Sequence, residues 1–481
     1  MSRIAAKRQP KLAVSASTSY SPFVSARITI VGGGSYHWAP RLLSDFANTL
    51  SLQDARVVLH DIDAAKLPRM VELGSLLAQR RGIPMSVTAE TDRRRALEGA
   101  DYVIACLSVG GFESMAHDLE IPERHGMRQP IGDTVGPGGV MRALRSVPVV
   151  LDIARDIEAV CPDALFLNVS NPLTALCRAV TRETKVQTVG LCNELVGMQY
   201  VMSLLLDADM RKLDPVVGGV NHLPLVTELH DGEGADALAQ LRDLLDDPDR
   251  AAREPMWMDP PAAMEYEKIT PGERWHKADV IHNNRVRLEL FRRFGVLPGS
   301  GDHHVAEFFP GFVTPENDFG SQWKVHIYGL RKHMADADDD VTHYEAVRDS
   351  DDISRHPSGE LVAPLLDALI TGVRRDLPVN LPNRGQVANL PAEFVVEAMG
   401  TADGDGLRAR DQVEVPSMLG EYLRRVAVSQ ELTVDAALTG DRTTVFEAML
   451  ADPMAGRLPY EEVASMTEEM LTATAPWLPQ F

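Results

Sequence analysis

Residues 28–46 read ITIVGGGSYHWAPRLLSDF, and this stretch decides the fold. It begins as an apolar, β-branched run, turns on three consecutive glycines and continues with apolar residues at helical spacing. We therefore predict a strand at Arg27–Val31 and a helix at Ala39–Leu50. A strand that enters a helix through glycines is typical of a dinucleotide site, because backbone N–H groups can approach a pyrophosphate there. His37, however, stands where the G-x-G-x-x-G fingerprint has its third glycine.

The next predicted strand ends in a carboxylate that suits the same cofactor. Residues 56–60, RVVLH, form a buried strand pattern that is followed directly by Asp61. A carboxylate at that point can accept hydrogen bonds from both ribose hydroxyls and repels the 2′-phosphate of NADP. The alternative is a surface aspartate in a turn. We predict an NAD site formed by Gly32, Gly33, Gly34, Ser35, Asp61 and Asp63.

Strands and helices alternate through the first 190 residues. Further buried strands and helices are predicted at 64–81, 101–107, 142–160, 164–169 and 188–191. This alternation indicates a parallel, doubly wound sheet. The later sequence is acidic and rich in helical patterns, with some strand-like segments. The prediction is an α/β protein with an N-terminal Rossmann-like doubly wound sheet and a C-terminal, mostly helical α+β domain.

The predicted domain boundaries follow from these changes in composition and predicted secondary structure. Residues 1–25 are basic and lack a continuous apolar segment, so we expect a disordered tail and no secretion signal. Residues 26–190 are predicted to be the NAD-binding domain. Residues 191–481 are predicted to carry the catalytic, substrate-binding and oligomerisation surfaces. The Asp-rich stretch at 335–358 is predicted to be a loop.

Composition excludes several classes of protein. The chain has 481 residues and a net charge of −21, which argues against nonspecific binding of nucleic acid or anionic membranes. It has no run of about 18 apolar residues, so we expect no membrane span. Four cysteines without a C-x-x-C pair do not form a disulfide scaffold. We therefore expect the reducing cytoplasm.

Polar clusters follow the predicted strands. The segment RQPIGDTVGPGGVMRALR at 128–145 is dense in glycine and proline, which indicates an ordered loop before a helix. NVSNP at 168–172 lies at a strand end, where α/β sheets bind ligands. Cys192 in GLCNE and His222 in GGVNHLP together make half of a site for a borderline or soft divalent metal. Packing roles for either residue remain the alternative.

Together these pieces resemble glycoside hydrolase family 4, the NAD- and divalent-metal-dependent glycosidases, including its α-glucosidase and α-galacturonidase members. The resemblance runs through VGGGS, LHDID, GADYVI, SVGG, IPERHG, TVGPGG, SNP, GLCNE, GVNHL and NNRVRLELFRRFGVLPGSGDHHVAEFFP. It spans roughly residues 26–315, about 60% of the chain. The family also tolerates the missing third glycine.

The resemblance implies roles for individual residues. Cys192 and His222 match the metal ligands, usually for manganese. Asn171 matches a residue near the sugar hydroxyls, and we group other polar residues with it as candidate substrate contacts: Asn193, Arg128 and Asp133. The catalytic base is predicted to be Asp302, which follows the FGVLP turn. His303 and His304 are rivals for that role, and either could instead complete the metal shell.

The implied chemistry is a redox-assisted elimination. NAD would take hydride from C3 of the sugar, the metal would act as a Lewis acid, a base would remove the C2 proton, and NAD would be regenerated. The resemblance also implies a small glycoside substrate and a homodimer or homotetramer. Two alternatives remain at this point. One is an NAD-dependent dehydrogenase of a hydroxy acid or polyol, and the other is an NAD-sensing regulatory protein.

Overall fold

The structure is a computed structural model that describes residues 25–261, 264, 266–270, 274–349 and 358–481. The predicted tail, apart from Ser25, lies outside the described residues. The six strands of the first half are β1 (Arg27–Val31), β2 (Arg56–His60), β3 (Ser86–Ala89), β4 (Tyr102–Ala105), β5 (Leu165–Asn168) and β6 (Thr188–Gly190). They pair in parallel in the order β3-β2-β1-β4-β5-β6. This is the strand order of a dinucleotide-binding sheet, and the predicted fold class is confirmed.

Helices cover both faces of this sheet. They are α1 (Trp38–Asn48), α2 (Leu67–Arg81), α3 (Arg93–Leu97), α4 (Gly111–Arg124), α5 (Gly136–Val160), α6 (Leu173–Glu183) and α7 (Glu194–Leu206). Ile28 and Ile30 of β1 pack with Phe46 of α1 on one face. Val31 and Val147 belong to the core on the other face. Alternate residues of one strand thus enter two cores, which explains why the strands read as continuous apolar runs.

The sheet continues into the second half of the chain as antiparallel strands. These are β7 (Asp214–Val220), β8 (Leu223–His230), β9 (Leu297–Pro298), β10 (Arg375–Pro382), β11 (Val395–Asp403) and β12 (Gly406–Ala409). β10 joins β6 where Asn380 pairs with Gly190. The order then runs β10-β11-β7-β8-β9, and β12 pairs with β11. One mixed sheet therefore crosses residue 190, and the domain boundaries proposed from the sequence stay predictions.

The remaining helices surround these antiparallel strands. They are α8 (Ala237–Leu245), α9 (Pro248–Arg253), α10 (Lys277–His282), α11 (Arg285–Phe294), α12 (Asp302–Phe308), α13 (Leu330–Asp349), α14 (Val362–Thr371), α15 (Ser417–Thr439), α16 (Arg442–Ala451) and α17 (Tyr460–Ala473). The second half is thus mostly helical, as predicted. Within the described ranges, every helix is too short or too polar to cross a membrane.

Two local predictions were wrong. The Asp-rich stretch predicted to be a loop is helical through Asp349 in α13, where Tyr344 and Val347 are buried and Lys332 pairs with Asp336 one turn away. The rest of that stretch, apart from Ser358, lies outside the described residues. The helix predicted from residue 142 begins earlier, at Gly136, so the GPGG segment forms the first turn of α5.

The first glycine of the loop after β1 has no room for a side chain. Gly32 has φ +94°, and a Cβ there would lie 2.1 Å from the carbonyl oxygen of Cys106. Its N–H and that of Gly33 both donate to the carbonyl of His60, at 2.9 Å. The loop is therefore pressed between the ends of β2 and β4, which only glycine permits.

We predict opposite effects for alanine at two glycines. Gly32→Ala should lower the free energy of unfolding by at least about 2 kcal/mol, because it adds a positive-φ side chain and a backbone clash. Gly197→Ala should raise it by about 1 kcal/mol, since Gly197 is exposed within α7 and a Cβ there meets nothing within 4 Å. Urea denaturation midpoints measure both changes, and equal midpoints for the two variants would contradict this account.

Candidate active site

The glycine loop and the end of β2 face each other directly. The N–H of Gly34 donates to the Asp61 carboxylate at 2.9 Å, and the other Asp61 oxygen accepts the N–H of Asp63 at 2.9 Å. Ser35 caps the start of α1 by accepting the N–H of Trp38 at 3.1 Å. The residues predicted to bind the cofactor thus lie together at one edge of the sheet.

His37, at the position of the missing third glycine, does not face the sheet. Its side chain is 50% exposed, and its Nδ1 lies 2.9 Å from the carboxylate of Asp340 in α13. Arg41 of α1 pairs with the same carboxylate at 2.9 Å. The close helix–strand contact that a third glycine normally allows is not needed at this point, because α1 begins one residue later and Ala39 enters the core.

A second group of polar side chains gathers where β5, β6 and β7 end. Asn171 follows β5, Cys192 follows β6, and His222 lies in the turn between β7 and β8. The turn before α5 contributes Asp133, and α12 contributes His304. Ligand atoms of Asp133, His222 and His304 lie within 4.8 Å of one another. Residues far apart in sequence therefore converge on one place.

His222 is the centre of this group. It is 3% exposed, has φ +66°, and stacks on His304 with ring centroids 3.7 Å apart. Its Nδ1 lies 2.9 Å from the hydroxyl of Thr134, which itself donates to Asp133 at 2.8 Å. Nε2 is then the ring nitrogen left for Cys192 or a metal, and Thr134 fixes the ring as an outer-shell partner does.

The charges of this group depend on one another. Burial lowers the pKa of His222, but Cys192 and Asp133 beside it raise that pKa well above its usual value. Burial raises the pKa of the Cys192 thiol, while His222 lowers it. Burial and the neighbouring His222 lower the pKa of His304 to about 3. The imidazole of His304 is therefore neutral and can offer a ring nitrogen to a metal. Its buried Nδ1 has no hydrogen-bond partner in the described part of the chain.

Glu194 and His303 extend the group on the side of α7. Ligand atoms of Glu194, His303 and His304 lie within 4.8 Å of one another. Glu194 accepts the N–H of Gly301 at 2.7 Å. Although burial raises the pKa of Glu194, the three neighbouring histidines lower it to about 2. Glu194 is thus an ionised carboxylate that faces an imidazole. Sequence reasoning missed it, although it ends the quoted motif GLCNE.

The predicted substrate residues divide into two sets. Asn171 donates to Asp133 at 2.7 Å, so these two share one wall of the site. Asn193 donates to Glu360 at 3.1 Å, and Glu360 in turn faces His37 beside the glycine loop. Asn193 therefore links the glycine loop to the cysteine side of the cleft.

Arg128 is engaged elsewhere. Its guanidinium pairs with Glu123 at 2.8 Å and lies over the ring of Phe319, 4.7 Å from its centroid. Its side chain is 45% exposed. Neither partner belongs to the cluster around His222, so the structure gives Arg128 a surface contact and does not bring it together with Asn171 and Asp133.

Asp302 also has contacts outside the cluster. Its two oxygens accept the N–H groups of Val286 and Arg287 at 2.8 and 3.1 Å, and its Oδ1 lies 3.3 Å from Nε of Arg287. These are among the first N–H groups of α11, which need an acceptor from outside the helix. The carboxylate is 6% exposed and serves as a helix cap. These contacts give it a structural function, while its predicted role as a base is not tested by them.

The donor set suits a divalent transition metal. Two imidazoles and a carboxylate lie together at His222, His304 and Asp133, and the Cys192 thiol interacts with His222. Imidazole and thiolate favour borderline and soft metals, and the carboxylate also suits manganese. The unpartnered Nδ1 of His304 is an independent sign that a ligand belongs here.

Two family models match the chain. Residues 27–208 match the model described as family 4 glycosyl hydrolase, and residues 217–455 match the model of the C-terminal domain of the same family. An alpha-galactosidase of Bacillus subtilis (strain 168) is 30% identical over 464 residues, which cover 95% of this chain and 99% of the relative. An alpha-galacturonidase of Lachnoclostridium phytofermentans is 28% identical, with 94% and 97% covered.

Solved structures share the whole fold. The crystal structure of lplD from Bacillus subtilis has a TM-score of 0.81 at 26% identity and covers 93% of this chain and 100% of its own. A 6-phospho-alpha-glucosidase from gut microorganisms, solved in complex with NAD and Mn2+, has a TM-score of 0.76 at 21% identity, with 94% and 99% covered. The Rossmann-like half and the helical half therefore occur together in both.

We predict that Cys192 and His222 are required for metal binding. Mn2+ affinity, followed by electron paramagnetic resonance of the free ion, should fall about 100-fold or more in His222→Ala and Cys192→Ser, because each removes a donor from a buried site. His117→Ala is the control, since that ring lies against Trp477, outside the cluster. Unchanged Mn2+ binding in His222→Ala would contradict the assignment.

Proposed function

Because the chain belongs to family 4 of the glycosyl hydrolases, we propose that it is an NAD- and divalent-metal-dependent glycosidase acting on an α-glycoside. The observation that carries this proposal is the cluster of Asp133, His222 and His304, with Cys192 beside His222, at the same end of the parallel strands as the glycine loop. Hydride acceptor and Lewis acid must reach adjacent sugar carbons, and one cleft provides for both. The names of the alpha-galactosidase and the alpha-galacturonidase support the α linkage, although a relative at 26% identity is named a probable 6-phospho-beta-glucosidase.

The glycine loop fits NAD. The Asp61 carboxylate already lies against the N–H of Gly34, close to where a ribose would follow the pyrophosphate. A 2′-phosphate would be repelled by that charge. Gly32, Gly33 and Ser35 would approach the pyrophosphate through backbone, and Asp63 supports the turn that carries Asp61. The related 6-phospho-alpha-glucosidase was solved with NAD and Mn2+, which supports the same cofactors here.

The metal would be held by Cys192 and His222, with His304 and Asp133 within reach. When bound, NAD supplies a transient oxidation at C3 of the sugar and the metal supplies the Lewis acidity that makes the C2 proton labile. Thr134 keeps His222 oriented, and Asn171 holds Asp133. Asn171 and Asp133 would also bind the sugar hydroxyls, with Asn193 on the nicotinamide side.

His303 is the base that the local geometry favours. Its ring lies beside the ionised Glu194 and folds back over Gly301, where a Cβ would come within 2.6 Å of Cε1. A carboxylate that orients an imidazole is the usual arrangement for a general base. Burial lowers the pKa of His303, so the ring is neutral and can accept a proton. Asp302, the base predicted from the sequence, remains the rival in spite of its helix-capping contacts.

The sequence left two other functions open. An ordinary dehydrogenase would release NADH, and a regulatory protein would need no metal. The curated relatives at 28–30% identity are glycosidases over nearly their whole length, which favours hydrolysis. No specific observation supports either alternative.

Four finer points belong to the same proposal. Residues 26–190 would form the NAD-binding domain and residues 191–481 the catalytic and oligomerisation domain. The four cysteines are unpaired, which fits a reducing cytoplasm. A homodimer or homotetramer is the assembly expected for the family. Arg128, at the surface, would meet an anionic substituent only if the substrate extended beyond the cluster.

We predict that hydrolysis requires both cofactors and accumulates no NADH. A panel of nitrophenyl α-glycosides should be cleaved only with NAD and a divalent metal, because the oxidation at C3 is reversed within each turnover. Absorbance at 340 nm should stay flat while nitrophenol is released. Full activity after removal of NAD and metal would contradict the proposal, and stoichiometric NADH would indicate a dehydrogenase.

We predict that His303→Asn stops proton exchange at C2. With a substrate deuterated at C2, the rate of exchange of that deuterium with solvent should be lower by about 100-fold or more in the variant, because a general base usually contributes that much. Hydride exchange at C3 should continue. Asp302→Asn should keep C2 exchange but lower the unfolding midpoint, because it weakens the cap of α11. If Asp302→Asn loses C2 exchange and His303→Asn keeps it, the base is Asp302 as the sequence predicted.

A further inference from the structure

Glu307 is a buried carboxyl group that the proposed mechanism does not use. It lies on α12 three residues after His304, and its side chain has no exposed surface. One of its oxygens, Oε1, accepts two consecutive backbone N–H groups, from Ile131 at 2.6 Å and from Gly132 at 2.7 Å. Two N–H groups that converge on one oxygen hold the backbone of that turn against α12.

The two N–H groups lead directly into the polar wall of the site. Gly132, at φ +72°, is followed by Asp133, which accepts from Asn171, and by Thr134, whose hydroxyl lies against His222. α12 itself carries His303 and His304. Glu307 therefore connects the histidine side of the cluster to its carboxylate side, and these sides come from positions more than 160 residues apart in the sequence.

On balance, the surroundings of Glu307 disfavour its charged form. In the described part of the chain, no lysine or arginine pairs with it, and its Oε2 has no hydrogen-bond partner. The charged groups that face it are Asp133 from the turn and His222 from the β7–β8 turn. Burial and then Asp133 raise its pKa to about 8, against the two backbone N–H groups and His222. A buried carboxyl in such surroundings is held in its neutral form.

We propose that Glu307 is a positioning residue which, as a buried hydrogen-bond acceptor, fixes the turn 131–134 so that Asp133 and Thr134 reach Asn171 and His222. Two buried N–H groups without this acceptor would rotate to find another, and Asp133 would move with them. A misplacement of about 1 Å at a reacting centre costs about 100-fold in rate. The effect on rate rests on the proposed function, whereas the effect on the turn does not.

The test compares Glu307→Gln with Glu307→Met. Glutamine keeps an oxygen for both N–H groups and resembles the protonated acid, while methionine keeps the volume and removes the acceptor. The matched control is Asp279→Leu. Asp279 is also fully buried, and its Oδ1 accepts two consecutive N–H groups, from Ile269 at 2.7 Å and Thr270 at 2.8 Å, away from the cluster.

Two measurements separate positioning from general stability. Hydrogen–deuterium exchange of the peptide containing Ile131 and Gly132 should be faster in Glu307→Met and unchanged in Glu307→Gln. With NAD, Mn2+ and a nitrophenyl glycoside, kcat should fall about 100-fold in Glu307→Met and stay within about threefold in Glu307→Gln. Asp279→Leu should lower the melting temperature but keep kcat within about threefold. NAD affinity should be unchanged in both Glu307 variants.

Two results would overturn the proposal. One is a Glu307→Gln variant that folds but loses kcat by about 100-fold, since an oxygen acceptor alone would then not be sufficient; this result decides even if Glu307→Met does not fold. The other is wild-type exchange at Ile131 and Gly132 in Glu307→Met. If the wild-type protein hydrolyses no glycoside, the proposed function fails, while the exchange measurement still decides the role of Glu307.

Discussion

The contact between β6 and β10 is the constraint on which the site depends. A parallel dinucleotide sheet would end at β6, but here Gly190 pairs with Asn380 and the sheet continues as antiparallel strands. Gly190 permits this, because a Cβ there would come within 2.3 Å of Leu173 and 3.0 Å of Asn380. The junction brings β11 and β7 alongside Cys192, so that His222, at the end of β7, meets a thiol that follows β6. The proposed metal ligands come together because a parallel and an antiparallel sheet are joined edge to edge.

Burying so many charges in one cleft requires that they compensate one another. Glu194 and Asp133 remain ionised because neighbouring histidines lower their pKa values, and burial, followed by the charge of His222, keeps His304 neutral. Glu397 of β11 accepts a hydrogen bond from Asn221 and also faces His222, yet burial raises its pKa to about 7. A divalent cation bound at Cys192 and His222 would add the positive charge that this end of the cleft lacks. The electrostatics therefore agree with the donor chemistry in favouring a metal at this end of the cleft.

The sequence predicted those parts of the fold and site that depend on local order. The glycine loop, Asp61, Cys192 and Asn171 each follow a buried strand, and strand ends meet at one edge by the rules of parallel sheets. The antiparallel strands could not be ordered from the sequence, because β10 pairs with β6 across about 190 residues. Glu194 and Glu307 were missed for the same reason. Only in the folded chain does Gly301 contact Glu194 and Ile131 contact Glu307. The helix α13 was missed because its aspartates suggested a loop, while two buried residues and contacts to α1 stabilise it.

The missing third glycine follows from what covers the cleft. In a dehydrogenase fingerprint that glycine lets the first helix lie close against the sheet. Here His37 instead turns outward to Asp340 of α13, and one turn later Tyr344 meets Tyr36 edge-on with centroids 5.3 Å apart. At the other end of the same segment, Tyr328 lies 5.3 Å from His303. One stretch of chain thus contacts both the glycine loop and the histidine cluster. An enzyme that exchanges NAD at every turnover has no need of such a connection, whereas one that regenerates NAD within the cleft benefits from holding it there. His37 thus takes part, through Asp340, in the contacts of a segment that also reaches His303.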